Sequence, residues 1–185
     1  MQTIIGVMGP GEQATARDVQ VAYDLGQAIA TAGWVLLTGG RPVGVMEAAS
    51  QGAKSAGGLT IGILPSKCRE DAADAIDIPI VTGMGNGRNI INVLSSSVII
   101  SCGLGAGTAS EVALAIKTGK PIVLLNLSEM DCQFFQNLAN YPLGIADHVG
   151  DAIALVRQFL LSSSGQKKNK VRWGEDGKVE EREKP

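Results

Sequence analysis

Apolar residues along this chain gather into short continuous runs, separated by stretches in which they recur every three or four positions. The runs are residues 3–8 (TIIGVM), 34–38 (WVLLT), 59–64 (LTIGIL), 78–82 (IPIVT), 97–102 (SVIISC) and 121–126 (PIVLLN). A strand with one wet face alternates apolar and polar residues, whereas a strand covered on both faces does not. These runs therefore predict strands of a sheet buried on both sides. Between them the longer period predicts helices over about 13–32, 43–56, 87–95 and 108–118, with a last one near 148–162. The helix over 108–118 meets a glycine stop in TGKP, and Pro121 opens the next strand. Alternation of this kind defines the fold class as α/β: a Rossmann-like, doubly wound, mainly parallel sheet of about 6–7 strands with helices on both faces.

The pattern stops near residue 163. A domain over 1–163 is followed at 164–185 by a charged stretch poor in apolar residues, which reads as a disordered tail or, in KVRWGEDGKVEER, as a small hairpin. Charge divides at the same place: residues 1–164 hold 9 Lys and Arg against 13 Asp and Glu, and residues 165–185 hold 7 against 5. A body of net −4 is a poor partner for nucleic acid, whose binding depends on neutralising phosphates. The three cysteines, Cys68, Cys102 and Cys132, have neither paired nor metal-ligand spacing and read as reduced thiols of a cytoplasmic protein. MQTIIGVMGPG lacks the basic start of a signal peptide, and no apolar stretch approaches the roughly 20 residues of a membrane span. His148 is the only histidine, which argues against a histidine-rich metal site and a Ser-His-Asp triad.

Candidate chemistry lies where strands empty into glycine. Three such loops occur: GVMGPGE at 6–12, TGGRPVGVMEAA at 38–49 and GLGAGTASE at 103–111. Open parallel sheets bind ligands at the carboxyl ends of their strands, where the strand order reverses. A dinucleotide fingerprint needs G-x-G-x-x-G after the first strand and an acidic residue closing the second. The first loop has the wrong spacing. The third has Thr108 where the last glycine belongs, and the strand after it ends in Asn126, so NAD is not expected. Thr108 and Glu111 also fit a capping box, in which the threonine caps the Glu111 amide. The glycines before them would expose successive N–H groups at a helix N-terminus, which favours an anion. Arg88, in GMGNGRNIINV, is the only cation between Arg69 and Lys117. It reads either as a solvated side chain or as a fork that clamps a phosphate.

The order and separation of TGGRPVGVMEAA, Gly87-Arg88 and GLGAGTASE resemble the lysine decarboxylase-like family, also called SLOG. Its best-known members are the Lonely Guy cytokinin-activating phosphoribohydrolases, marked by an arginine and a later P-G-G-x-G-T-x-x-E. Arg88 stands 20 residues before Thr108 and 23 before Glu111, as that pattern requires. The motif's opening Pro-Gly is Gly103-Leu104 here, and Asn89 and Ile90 replace two charged positions. GVMGPGE at the start and ASEVALAIKTGKPIVLLN after the loop look more like the sister branch of molybdenum cofactor carrier proteins. That resemblance implies that the protein binds and protects a phosphorylated heterocyclic ligand, molybdenum cofactor, without cleaving it. Gly105, Ala106, Gly107 and Thr108 would hold the phosphate, aided by Gly9 and Gly103, with Gly39, Gly40, Arg41 and Gly44 on the facing wall. Arg88 and Glu111 would bind ligand too, and would be catalytic in the alternative, a phosphoribohydrolase acting on nucleoside 5′-monophosphates. A third relative, the DNA-processing protein family, binds single strands, but an acidic body with 4% aromatic residues is ill suited to stacking bases. The resemblance further implies a homo-oligomer, dimer or tetramer, with NIINVLSSS as a contact, and molybdoenzymes as recipients.

Overall fold

A computed structural model of the chain describes residues 2–166. Seven strands and six helices alternate: β1 (Ile4–Met8), α1 (Ala16–Thr31), β2 (Val35–Thr38), α2 (Gly44–Ser55), β3 (Thr60–Leu64), β4 (Ile78–Val81), α3 (Asn89–Ser95), β5 (Val98–Cys102), α4 (Ala106–Lys117), β6 (Ile122–Leu125), α5 (Glu129–Leu138), β7 (Gly144–Ala146) and α6 (Val149–Gln166). A turn of 3-10 helix, Gly85–Arg88, leads into α3. The strands form one sheet in the order β4-β3-β2-β1-β5-β6-β7, and every pairing is parallel. The chain winds outward from β1 to one edge, then returns to build the other half from β5. The switch point therefore lies between β1 and β5.

The continuous apolar runs follow from helices on both faces. On one face, Ile5, Val7 and Ile100 pack with Leu25 of α1, Val45 of α2 and Val156 of α6. On the other, Met8, Leu37 and Ile99 meet Val93 of α3, Val112 of α4 and Phe135 of α5. Each such aliphatic side chain withdrawn from water contributes about 1.5–3 kcal/mol. The run at 78–82 departs from the expectation of burial on both sides: β4 is an edge strand, with Ile78 44%, Ile80 43% and Val81 43% exposed. Pro79 is compatible with that place, since an edge strand can spare an N–H.

α1 and α2 lie on the same face and touch through glycine. A Cβ on Gly26 would overlap the carbonyl oxygen of Ala49, and one on Gly52 would overlap that of Tyr23. α6 extends to Gln166, past the boundary expected at 163. From 167 onward the tail and its hairpin reading lie outside the described residues. No described helix is long and apolar enough to cross a membrane.

Candidate functional site

A cavity of about 330 Å³ opens at the carboxyl ends of β1, β2 and β5, beside the switch point. The loop after β1 brings Gly9, Gly11 and Glu12 to its wall, and the loop after β2 brings Gly39 and Arg41. The 3-10 turn supplies Arg88, and the start of α4 supplies Gly105, Ala106, Gly107, Thr108 and Glu111. Three expected site residues do not line it. Gly40, at φ 76°, packs within 2.9 Å of the Gly62 Cα if given a Cβ. A Cβ on Gly44 would lie 2.5 Å from the Pro10 carbonyl oxygen. Gly103, at φ 72°, turns the chain where any side chain would overlap the Asp18 carboxylate. These three shape the loops that carry the cavity, and their role is conformational.

The capping-box expectation for Thr108 and Glu111 is corrected by where the helix starts. Gly105 is the N-cap of α4, with no side-chain cap, which places Thr108 inside the first turn. Thr108 is 2% exposed, and its Oγ1 has no hydrogen-bond partner among the described residues. Glu111 does not reach back to cap: its Oε1 accepts a 2.6 Å hydrogen bond from Nδ2 of Asn92 and lies 3.8 Å from Nη1 of Arg88. Burial pushes the Glu111 carboxyl up to about 7, against the Asn92 hydrogen bond and the Arg88 charge, which both favour ionisation.

Arg88 is 8% exposed, so the solvated reading does not hold. Burial depresses its pKa, Glu111 offsets this, and the charge of Arg41 depresses it further. Its Nη1 donates to Oδ1 of Asn89 at 3.1 Å, while Nε has no partner among the described residues. Asn89 in turn donates to Oγ of Ser110 at 2.7 Å, and that hydroxyl donates to the Gly107 carbonyl at 2.6 Å. The arginine is thereby tied to the first turn of α4. Arg88 lies against the open face of Gly39: a Cβ there would sit 2.6 Å from Nη2 and 2.7 Å from Sδ of Met46, and both side chains would have to shift.

Sequence reading missed Asn92, whose amide orients Glu111 from α3, and Asp18. The Asp18 carboxylate accepts from the backbone N–H of Thr15 at 2.9 Å and from Nδ2 of Asn126 at 2.6 Å, bracing the turn at Gly103. T-x-x-D at 15–18 was a visible capping signal for the first helix, but nothing in it reveals the contact with Asn126. A second hollow, about 510 Å³ beside α5 and β7, is lined by Glu129 and Asp147 and by no lysine or arginine, so it is a poor place for an anion.

At the first cavity a helix N-terminus, a buried hydroxyl without a partner and a buried guanidinium converge. They define the class: a doubly wound α/β protein with a cavity at its switch point whose lining is suited to an anion. The chain belongs to the SLOG cluster4 family, whose model matches residues 2–153. It is similar to the molybdenum cofactor binding protein of Rippkaea orientalis, at 60% identity and TM-score 0.85 over 86% of this chain and 98% of that one. It is similar also to the molybdenum cofactor carrier protein of Chlamydomonas reinhardtii, at 50% identity and TM-score 0.83 over 87% and 99%. A cytokinin riboside 5′-monophosphate phosphoribohydrolase of Mycobacterium tuberculosis is 35% identical over 117 residues, 58% of this chain and 62% of that protein.

Gly107 offers a direct check on the anion. A Cβ at this position meets nothing within 4 Å, so a larger residue would leave the fold intact and project into open space. Inorganic phosphate should raise the melting temperature of the parent protein by mass action and leave that of Gly107→Val unchanged. An equal rise in both proteins would remove the first turn of α4 from the site.

Proposed function

We propose that the protein is a molybdenum cofactor carrier, binding the cofactor by its phosphate at the first turn of α4 and shielding it from oxidation. The observation that carries this reading is the buried Thr108 hydroxyl without a partner, set beside the open space at Gly107. A phosphate oxygen there would accept from the hydroxyl and from the N–H groups of Gly105 to Thr108 that open α4. Arg88 would meet the same group through Nε, and Gly9, Gly39 and Arg41 would frame the rest of the ligand. The identity to one protein that binds this cofactor and to one that carries it supports the choice of ligand.

One observation favours the second reading, a nucleoside 5′-monophosphate phosphoribohydrolase. Glu111 stands on the cavity wall with a pKa of about 7, suited to moving a proton near neutrality. Against it, Gly103-Leu104 stands where the hydrolases have Pro-Gly, and Glu111 Oε1 is held by Asn92.

Two assays on one preparation separate them. The protein should slow the oxidative loss of molybdenum cofactor released from a molybdoenzyme, and the loaded carrier should restore activity to an apo-molybdoenzyme. Incubated with AMP it should release no free adenine. Adenine release that disappears in a folded Glu111→Gln variant would overturn the carrier reading, since a general acid or base contributes roughly 10²–10⁴-fold. We also expect self-association through the apolar side of α3, where Leu94 is 57% exposed. Sedimentation of a single-subunit mass would refute it.

A further inference from the structure

We propose that Arg41 reads a second negative charge on the ligand, and that Glu12 holds Arg41 at the cavity mouth until such a ligand displaces it. The inference rests on the cavity being the site of a phosphate monoester, and adds the class of ligand it selects. Arg41 comes from the loop after β2 and Glu12 from the loop after β1, and their side chains are hydrogen-bonded as an ion pair. Both line the cavity that also holds the first turn of α4. Arg41 is 40% and Glu12 67% exposed, and an ion pair so wet is weak enough to exchange for a ligand.

Two further features mark Arg41 as part of the site. Both Arg41 and Arg88 line the one cavity, and the charge of the first bears on the second. Gly11 borders the same side chain: a Cβ there would make only ordinary contact, 4.0 Å from Nη1 of Arg41 and 3.4 Å from the Val43 side chain. Of the two carboxylates on the wall, Glu111 is fixed by Asn92 and buried, whereas the side chain of Glu12 is exposed to water. Once Glu12 leaves, the cavity presents two cations and a helix N-terminus. A nucleoside monophosphate has one anionic end and a neutral base. A ligand with a phosphate at one end and an anionic metal-oxo centre or second phosphate at the other satisfies both poles.

Calorimetric titration with AMP, adenosine 2′,5′-bisphosphate and adenosine 3′,5′-bisphosphate tests this. At least one bisphosphate should bind the parent roughly tenfold more tightly than AMP. Arg41→Ala should bring that ratio close to one, and Glu12→Gln should raise the affinity for the preferred bisphosphate, a gain that no merely structural role of Glu12 would give. Equal affinity of the parent for all three, or a ratio unchanged in Arg41→Ala, or no gain in Glu12→Gln, would overturn the proposal while leaving the phosphate site standing. Failure of the parent to bind any of the three would overturn both.

Discussion

Replacing Arg88 with alanine should weaken the protein in two measurable ways, and pH should separate them. Binding of a phosphorylated ligand should fall by roughly ten- to a hundredfold, the loss of a charge-assisted hydrogen bond of about 1.5–3 kcal/mol. Stability should fall as well, which an arginine in a solvated turn would not cause. Arg88 is buried 3.8 Å from Glu111, and removing it leaves that carboxyl without a countercharge. Breaking a buried pair can cost about 3–5 kcal/mol, but the cost here is capped because Glu111 can take up a proton. Its pKa is raised in the folded protein from 4.5 to about 7. The parent therefore has the full contribution of this group below about pH 4.5 and loses it as pH rises through about 7. Without Arg88 the carboxyl is harder still to ionise. The mutant should trail the parent by about 1 kcal/mol near pH 5 and by about 2–3 kcal/mol near pH 8 in urea titrations. A deficit that does not grow with pH would break the link between Arg88 and Glu111.

A second large loss of stability is expected away from the cavity wall, at Gly26 and Gly52. Helix propensity alone predicts that Gly→Ala in the middle of a helix stabilises by about 1 kcal/mol. Packing predicts the opposite. At both positions a Cβ would overlap a backbone carbonyl of the neighbouring helix, and backbone cannot swing aside as a flexible side chain can. Overpacking by one carbon costs about 1–3 kcal/mol where side chains can adjust, and we expect at least the upper end here. Thermal or urea unfolding of Gly26→Ala and Gly52→Ala should therefore show net destabilisation of about 2–3 kcal/mol each. Because α1 and α2 begin at the loops that carry Glu12 and Arg41, the response to phosphate should shrink too. Unchanged or raised stability would mean that the two helices have room to part.

Much of this architecture was legible in the sequence, because a doubly wound sheet imposes a strong pattern: six apolar runs map onto six strands within a residue or two. What escaped is physically instructive. β7 has three residues, Gly144–Ala146, too few for any period to register. α5 was overlooked although its signals are present: Ser128 accepts from the Asp131 amide at 3.2 Å, and the buried Cys132 and Phe135 stand three positions apart, as on one face of a helix. The exposed edge at β4 was invisible, because apolar runs report hydrophobicity and not which strand is last. At the site, the glycine loops and the isolated Arg88 could be read from spacing. The environment of Glu111 could not, because Asn92 lies 19 positions away and touches it only through the packing of α3 on α4. Thr108 was visible as a residue, but its burial depended on the helix starting at Ala106, within the glycine run.

The place of β1 in the sheet has a consequence for how the chain is made. β1 is made before the other described strands, yet it ends between two neighbours, β2 at Ile4↔Val35 and β5 at Ile5↔Val98. During synthesis β1 to β4 can already pair into half a sheet, while the backbone edge of β1 that later receives β5 stays bare. That edge offers unpaired backbone on an uncharged strand, the sort of surface to which another unfinished chain can add. The hazard ends only when β5 docks, and α4 follows directly behind it. The same segment that caps the vulnerable edge thus completes the cavity, so a nascent chain is past its most aggregation-prone moment by the time the cavity exists.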